Sequence, residues 1–119
     1  MDILIVDDSN FMLNVLKNVL KNLDIDQIYT ANDGSEAVDI YKDERPDLVL
    51  LDIVMDNVDG IEALEQIKSF DKGAKVLMIS AVGQQETVKE ALEKGAEGFI
   101  KKPFENKKVQ DKIKEVAEI

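Results

Sequence analysis

The 119-residue chain has no cysteine and no histidine. Without cysteine there is no disulfide framework, no thiolate metal site and no cysteine nucleophile, and nothing argues for secretion. With both absent, oxygen is the donor left for a bound metal, and that donor set favours hard cations. Long hydrophobic runs are missing too: no apolar stretch approaches a membrane span, and no basic region leads an apolar one at the N-terminus. Positive charge is scarce, with 15 Lys and Arg against 25 Asp and Glu and a formal net charge of −10. Binding nucleic acid through its phosphates needs clustered Lys and Arg, which argues against that class of partner. A cytoplasmic protein with neither a membrane nor a nucleic-acid partner is therefore expected.

What is present is enough apolar residue, 45% of the total, for a real core in one domain spanning residues 1–119. Charge is unevenly spread: residues 1–60 hold 14 acids and 4 bases, whereas 61–119 hold 11 of each. One end of the folded molecule is therefore expected to hold cations. Short apolar runs at 3–6, 27–31, 47–51, 75–79 and 97–101 predict strands, and stretches of helical period at 10–23, 35–41, 60–70, 84–94 and 106–117 predict helices. Met12, Val15, Leu16, Val19, Leu20 and Leu23 form one stripe of the first helix, and Val88, Ala91 and Leu92 one stripe of the fourth. Ser9 and Asp33 stand where N-caps belong, Gly73 and Gly95 follow helix ends, and Pro46 precedes the third run. Such alternation implies parallel pairing through right-handed crossovers: a doubly wound α/β sheet with helices on both faces, the third and fourth runs central and the second and fifth at the edges.

In an open parallel sheet, ligands bind beyond the carboxyl ends of the strands, near the point where strand order reverses. The predicted strands deliver Asp7 and Asp8, then Asp52, then Ser80, then Lys101 and Lys102 followed by Pro103, to that rim. Three carboxylates in one crevice repel and are costly unless a cation sits among them; Mg²⁺ fits best and Mn²⁺ is a substitute. Such a cation neutralises phosphoryl oxygens and leaves a carboxylate free to attack phosphorus in line, while lysine and serine contact the remaining oxygens. The pattern predicts a phosphoryl-transfer site with an aspartate acceptor. Taken singly, Asp7 and Asp8 read as cap and loop acids, Asp52 as a strand end, Ser80 as a turn hydroxyl and Lys102 as a solvated cation. Their conjunction at four strand ends carries the prediction.

The segments ILIVDDS, DLVLLDIVMDNVDGIEAL, ISA and GFIKKPF, in this order and at these intervals, resemble the receiver domain of two-component response regulators over essentially the whole chain. The resemblance implies five parallel strands in the order 2-1-3-4-5 with five helices, a flavodoxin-like fold. It further implies that Asp7 and Asp8 bind metal and that Asp52 is both the phosphorylated aspartate and a ligand. The Val54 backbone carbonyl is implied as a further ligand, Ser80 as the switch hydroxyl, and Lys102 as the family lysine, with Lys101 at a variable position. A cis peptide before Pro103 is implied, as is an inward movement of Ser80 that Phe99 follows. The phosphoryl donor is a histidine kinase's phosphohistidine, which must come from another protein because this chain has no histidine. Where the family commonly has proline, this chain has Asp56. Val54 and Val82 occupy positions that flank the phosphoryl group in many relatives, and neither can hydrogen-bond an attacking water. Slow self-dephosphorylation and reliance on a separate phosphatase are therefore expected.

If the protein is complete with the fifth helix, its output is expected to be binding by a monomer, through the face made by the fourth helix, the last strand and the fifth helix. Lys89, Lys94, Lys101, Lys107, Lys108 and Lys112 on that face would either meet an acidic partner or simply keep it solvated. Among receivers, the run ISAVGQQETVKEAL and the short chain are most similar to single-domain chemotaxis regulators. This implies a CheA-like kinase and, as target, a component or adaptor of the flagellar or archaellar motor. A receiver excised from a DNA-binding regulator would read almost identically. An Mg²⁺-dependent phosphohydrolase shares the ingredients, but carries its nucleophile in an Asp-x-Asp arrangement on the first strand beneath a cap. A flavin carrier needs a Ser/Thr/Gly-rich phosphate loop where this chain has DDSNFM. The expected protein is a signalling switch with no independent substrate turnover.

Overall fold

The computed structural model describes residues 1–55, 59–81 and 83–118. Its elements in chain order are β1 (Asp2–Val6), α1 (Asn10–Leu20), β2 (Gln27–Ala31), α2 (Gly34–Glu44), β3 (Leu48–Asp52), α3 (Gly60–Phe70), β4 (Val76–Ser80), α4 (Gln85–Glu93), β5 (Gly98–Lys101) and α5 (Asn106–Ala117). The five strands form one sheet in the order β2-β1-β3-β4-β5, every pair parallel. The alternation of strands and helices led to a doubly wound sheet with β2 and β5 at the edges, and the order is the one that the resemblance to receiver domains implies.

Alternation along each strand divides the core into two layers. Ile3, Ile5, Leu48, Leu50, Leu77 and Ile79 pack with Leu13, Leu16, Val19 and Leu20 of α1 and Val109 and Ile113 of α5. Leu4, Val6, Val49, Leu51, Val76 and Met78 face the other way, against Ala37, Val38 and Tyr41 of α2, Ala63, Leu64 and Ile67 of α3, and Val88 and Ala91 of α4. All residues of β3 and β4 are buried, because both are central strands covered on both faces. Both strands run one residue further than their apolar runs. Asp52 and Ser80 are therefore the last residues of β3 and β4, held inside the ladder.

Three helix details depart from the sequence reading. The first helix stops at Leu20, where the Lys21 N–H reaches back to Asn18 O at 3.3 Å and the Leu23 N–H to Leu20 O at 3.0 Å. These tighter turns fold Leu23 and Ile25 back onto the core, so Leu23 is half-buried by a bend and not by the stripe. The second helix starts earlier and ends later than expected, from Gly34, where the Asp33 carboxylate accepts the Glu36 N–H at 2.8 Å, to Glu44, where Arg45 turns left-handed at φ 47°. On α4 the buried stripe is narrow, Val88 and Ala91, and Leu92, one residue further round the helix, is 42% exposed. Among the described residues no helix is long and apolar enough to cross a membrane.

Leu50 is fully buried in the layer under α1 and α5. Leu50→Ala is expected to lower the unfolding free energy by about 2–5 kcal/mol, lost methylene transfer plus the cavity left behind, as read by urea denaturation.

Candidate functional site

Strand order reverses at β1, which pairs with β2 on one side and β3 on the other. The crevice that results lies past the carboxyl ends of β1 and β3. Val6 is level with Leu51 in the β1–β3 register, so the next residue on each strand, Asp7 and Asp52, arrives at the same height. One carboxylate oxygen from each of Asp7, Asp8 and Asp52 lies within 4.8 Å of the others. Asp7 and Asp52 are buried, whereas Asp8 is exposed. The Lys102 ammonium sits 3.5 Å from Asp7 Oδ2 and 3.5 Å from Asp52 Oδ2.

Backbone contacts fix this group. The Asp7 N–H donates to Ala31 O at 3.1 Å, and Asp7 Oδ1 accepts the Ser9 N–H at 2.9 Å. Ser9 in turn caps α1, its hydroxyl accepting the Met12 N–H at 3.2 Å. Asp52 Oδ1 accepts the Val54 N–H at 3.4 Å, and the Ile53 N–H bonds Ile79 O at 3.1 Å. Lys102 is anchored to β4 by its N–H on Ser80 O at 2.6 Å, and the Lys102–Pro103 peptide is cis. Ser80 is buried at the end of β4, and its hydroxyl makes no hydrogen bond among the described residues. Lys101 points outward with Phe99, which is 43% exposed and borders a mostly apolar hollow of about 270 Å³ shared with Ser80, Gln84 and Val88. Of the other sequence-selected positions, the Val54 side chain is 60% exposed, and Asp56 and Val82 lie outside the described residues.

Burial pushes the Asp52 carboxyl up to about 6. The Lys102 ammonium opposes the rise, the neighbouring Asp7 charge adds to it, and the Val54 N–H lowers it again. One ammonium at 3.5 Å is thus too little to satisfy two buried carboxylates. Asp7 Oδ2 shows the shortfall directly: it is buried without a hydrogen-bond partner, and the Lys102 contact is too long to be a good one. An orphaned buried oxygen, two further carboxylates within reach and a donor set made only of oxygen fit a hard divalent cation such as Mg²⁺.

Two residues that the sequence reading passed over shape the site. At Gly60, a Cβ would fall 2.2 Å from Asp52 O and 2.7 Å from Ile53 Cα, so the start of α3 lies directly against the backbone that carries Asp52. Gly60 N–H also donates to Ile53 O at 2.9 Å. The Asp-Gly step that opens the third predicted helix is the trace of this contact in the sequence. At the other side of the rim the Ala81 N–H donates to Gln84 Oε1 at 2.6 Å, a pairing across a turn that leaves no periodic trace.

Comparison with known proteins agrees with this arrangement. Residues 3–114 match the family described as response regulator receiver domain. The chain is 46% identical to the chemotaxis protein CheY of Halobacterium salinarum over 114 residues, 96% of this chain and 94% of that protein. It superimposes with a TM-score of 0.92 on a chain in the crystal structure of the CheX–CheY–BeF3–Mg²⁺ complex from Borrelia burgdorferi, at 44% identity, covering 98% of this chain and 88% of that one. NtrX from Brucella abortus gives a TM-score of 0.92 at 33% identity, covering 98% of this chain but 26% of NtrX.

Since the Asp52 pKa lies above its unfolded value of 3.8, the stability it contributes is fully present below about pH 4 and lost as pH rises through about 6. In chelator, Asp52→Asn is therefore expected to gain on wild type between pH 4 and pH 7 by up to roughly 3 kcal/mol, measured by denaturant titration at each pH. Gly60→Ala should cost about 1–3 kcal/mol or more through overpacking, and should weaken Mg²⁺ binding because the strand carrying Asp52 has to shift, as calorimetric titration would show.

Proposed function

Because the chain belongs to the response regulator receiver domain family, we propose that it is a phosphorylation-activated switch whose acceptor is Asp52. CheY-like receivers are signalling proteins, not enzymes that turn over a separate substrate, and the reading follows that class. The observation that carries it is the placement of Lys102 between Asp52 and Asp7, whose Oδ2 is buried with no hydrogen-bond partner and only this ammonium at 3.5 Å for compensation.

Asp7, Asp8 and Asp52 would hold the Mg²⁺, with the Val54 carbonyl as a further ligand and Mn²⁺ as a substitute. When bound, the ion offsets the charge of the carboxylates and of the incoming phosphoryl oxygens. Asp52 supplies the nucleophile: a carboxylate oxygen attacks the phosphorus of a histidine kinase's phosphohistidine, the P–O bond forms as the P–N bond breaks, and the imidazole departs with the electron pair. Lys102 moves its charge-assisted hydrogen bond from Asp52 to a phosphoryl oxygen. Ser80 donates its hydroxyl to another phosphoryl oxygen and Phe99 follows it toward the apolar hollow behind.

A CheA-like kinase as donor and a motor component or adaptor as target complete the proposal, supported by the match to CheY. The complex that contains CheX together with CheY, BeF3 and Mg²⁺ supports a second protein acting on the loaded state, in keeping with a separate phosphatase. The apolar, exposed Val54 beside Asp52 offers no group to orient a hydrolytic water. Of the lysines on the α4–β5–α5 face, Lys94 is paired with Glu65 at 3.0 Å, Lys107 with Asp111 and Lys112 with Glu115, so Lys89, Lys101 and Lys108 are the cations that an acidic partner would meet. A second reading, a receiver acting within a longer regulator, is favoured by the NtrX match, in which the same fold makes up 26% of the chain.

Incubation with acetyl phosphate and Mg²⁺ should add one phosphoryl group by intact mass. The gain should vanish with chelator and in Asp52→Asn, and once donor is removed the adduct should outlast seconds. An Mg²⁺-independent gain, or one retained in Asp52→Asn, overturns the assignment of the acceptor, and decay within seconds overturns the role given to Val54.

A further inference from the structure

Just beyond Ser80 is a hydrogen bond that the chemistry above does not use. Gln84 occupies the N-cap position of α4, yet its side chain makes no cap hydrogen bond to that helix. Instead its carbonyl oxygen accepts the Ala81 N–H at 2.6 Å, with Gly83 between them at φ 91°. Asp52 is level with Ile79 in the β3–β4 register, so Ser80 and Ala81 are the first and second residues past the partner of Asp52. The Ala81 N–H is thus a backbone donor on the same rim, one residue beyond the Ser80 hydroxyl, and it is committed to a neutral amide oxygen.

We propose that Gln84 is a latch: its side chain holds Ala81, next to Ser80, in the unphosphorylated arrangement, and it lets go when Asp52 acquires a phosphoryl group. The proposal rests on Asp52 being the acceptor. A phosphoryl group brings close to two negative charges and three strong acceptor oxygens to the end of β3. Hydrogen bonds to a charged acceptor are roughly twice as strong as those to a neutral one, so donors at this rim turn toward the phosphoryl group and away from Gln84. An interaction made in one state and broken in the other sets the equilibrium between them by its own free energy. Among the described residues the Gln84 side chain hydrogen-bonds Ala81 and none of Asp7, Asp8, Asp52 and Lys102, so it is a positioning residue. It sets how readily Ser80 and Ala81 respond, not whether Asp52 reacts.

The test uses ¹⁵N-labelled full chain with BeF3⁻ and Mg²⁺ as the phosphoryl mimic. Gln84→Ala and Gln84→Leu, which lack the acceptor, should bind the mimic about two- to tenfold more tightly than wild type, the range expected for removing one net hydrogen bond from the free state. In the free protein their Ala81 amide should exchange with solvent at least about tenfold faster than wild type, while Ile79 in β4 stays protected. Gln84→Glu keeps an acceptor in place and should keep the Ala81 amide protected. Unchanged or weaker binding in both Gln84→Ala and Gln84→Leu overturns the latch, as does an Ala81 amide equally protected without the acceptor. Failure of wild type itself to bind the mimic is a separate outcome, which removes the receiver chemistry and the latch with it.

Discussion

Two carboxylates buried side by side with one ammonium between them form the constraint on which the rest of this structure depends. Asp7 and Asp52 could relieve their repulsion by moving apart, but each is fixed by a strand in the middle of the sheet. A one-residue slip between β1 and β3 would send one of them to the opposite face of the sheet. The all-apolar interiors of β1, β3 and β4 hold that register, since every residue of these strands that slipped would leave its own core layer for the other. The hydrophobic core is thus also what keeps two like charges together, and Lys102, tied to Ser80 through its backbone, brings the partial compensation.

The alternation that builds the two layers also assigns the site residues to different sides. Asp52 continues the row of Leu48 and Leu50, on the side of α1 and α5, whereas Ser80 continues the row of Val76 and Met78, on the side of α2, α3 and α4. Acceptor and hydroxyl are neighbours at the rim but belong to opposite layers. Under the proposed function, drawing Ser80 toward Asp52 pulls on the layer that contains α4, while the α1–α5 layer keeps the acceptor in place. That division offers a physical reason for a response concentrated at α4 and the adjoining edge of the sheet, where Phe99 and Leu92 are exposed.

Much of this was legible in the residues. Runs such as Leu48–Leu51 announce a strand buried on both faces, and acids at the ends of such runs have no place in a core, so the sheet, its edges and the acidic rim followed from pattern alone. What escaped was set by contacts between segments distant in sequence or by single side chains turning back on the backbone. The end of α1 depends on Leu23 and Ile25 finding the core, Leu92 was lost because the stripe on α4 is only two residues wide, and Gly60 is needed for a backbone approach that no periodicity encodes. The Gln84–Ala81 bond belongs to the same kind.

The uniform direction of the strands has a consequence for the helices. Since each strand is followed by a helix that runs back across the sheet, α1, α3, α4 and α5 all begin at the rim where β1, β3, β4 and β5 end. Their first-turn N–H groups and the positive ends of their peptide dipoles are gathered around the acidic crevice. Some of that potential is already taken up by Ser9 at α1 and by Asp59 at α3, whose carboxylate accepts the Glu62 N–H at 2.9 Å. The α4 and α5 termini have no side-chain cap. At those two termini the charge set against the dipole is an exposed glutamate, Glu86 in the first turn of α4 and Glu105 at the start of α5, and neither terminus is fixed by a cap hydrogen bond, so backbone donors there face acidic groups that are free to move aside.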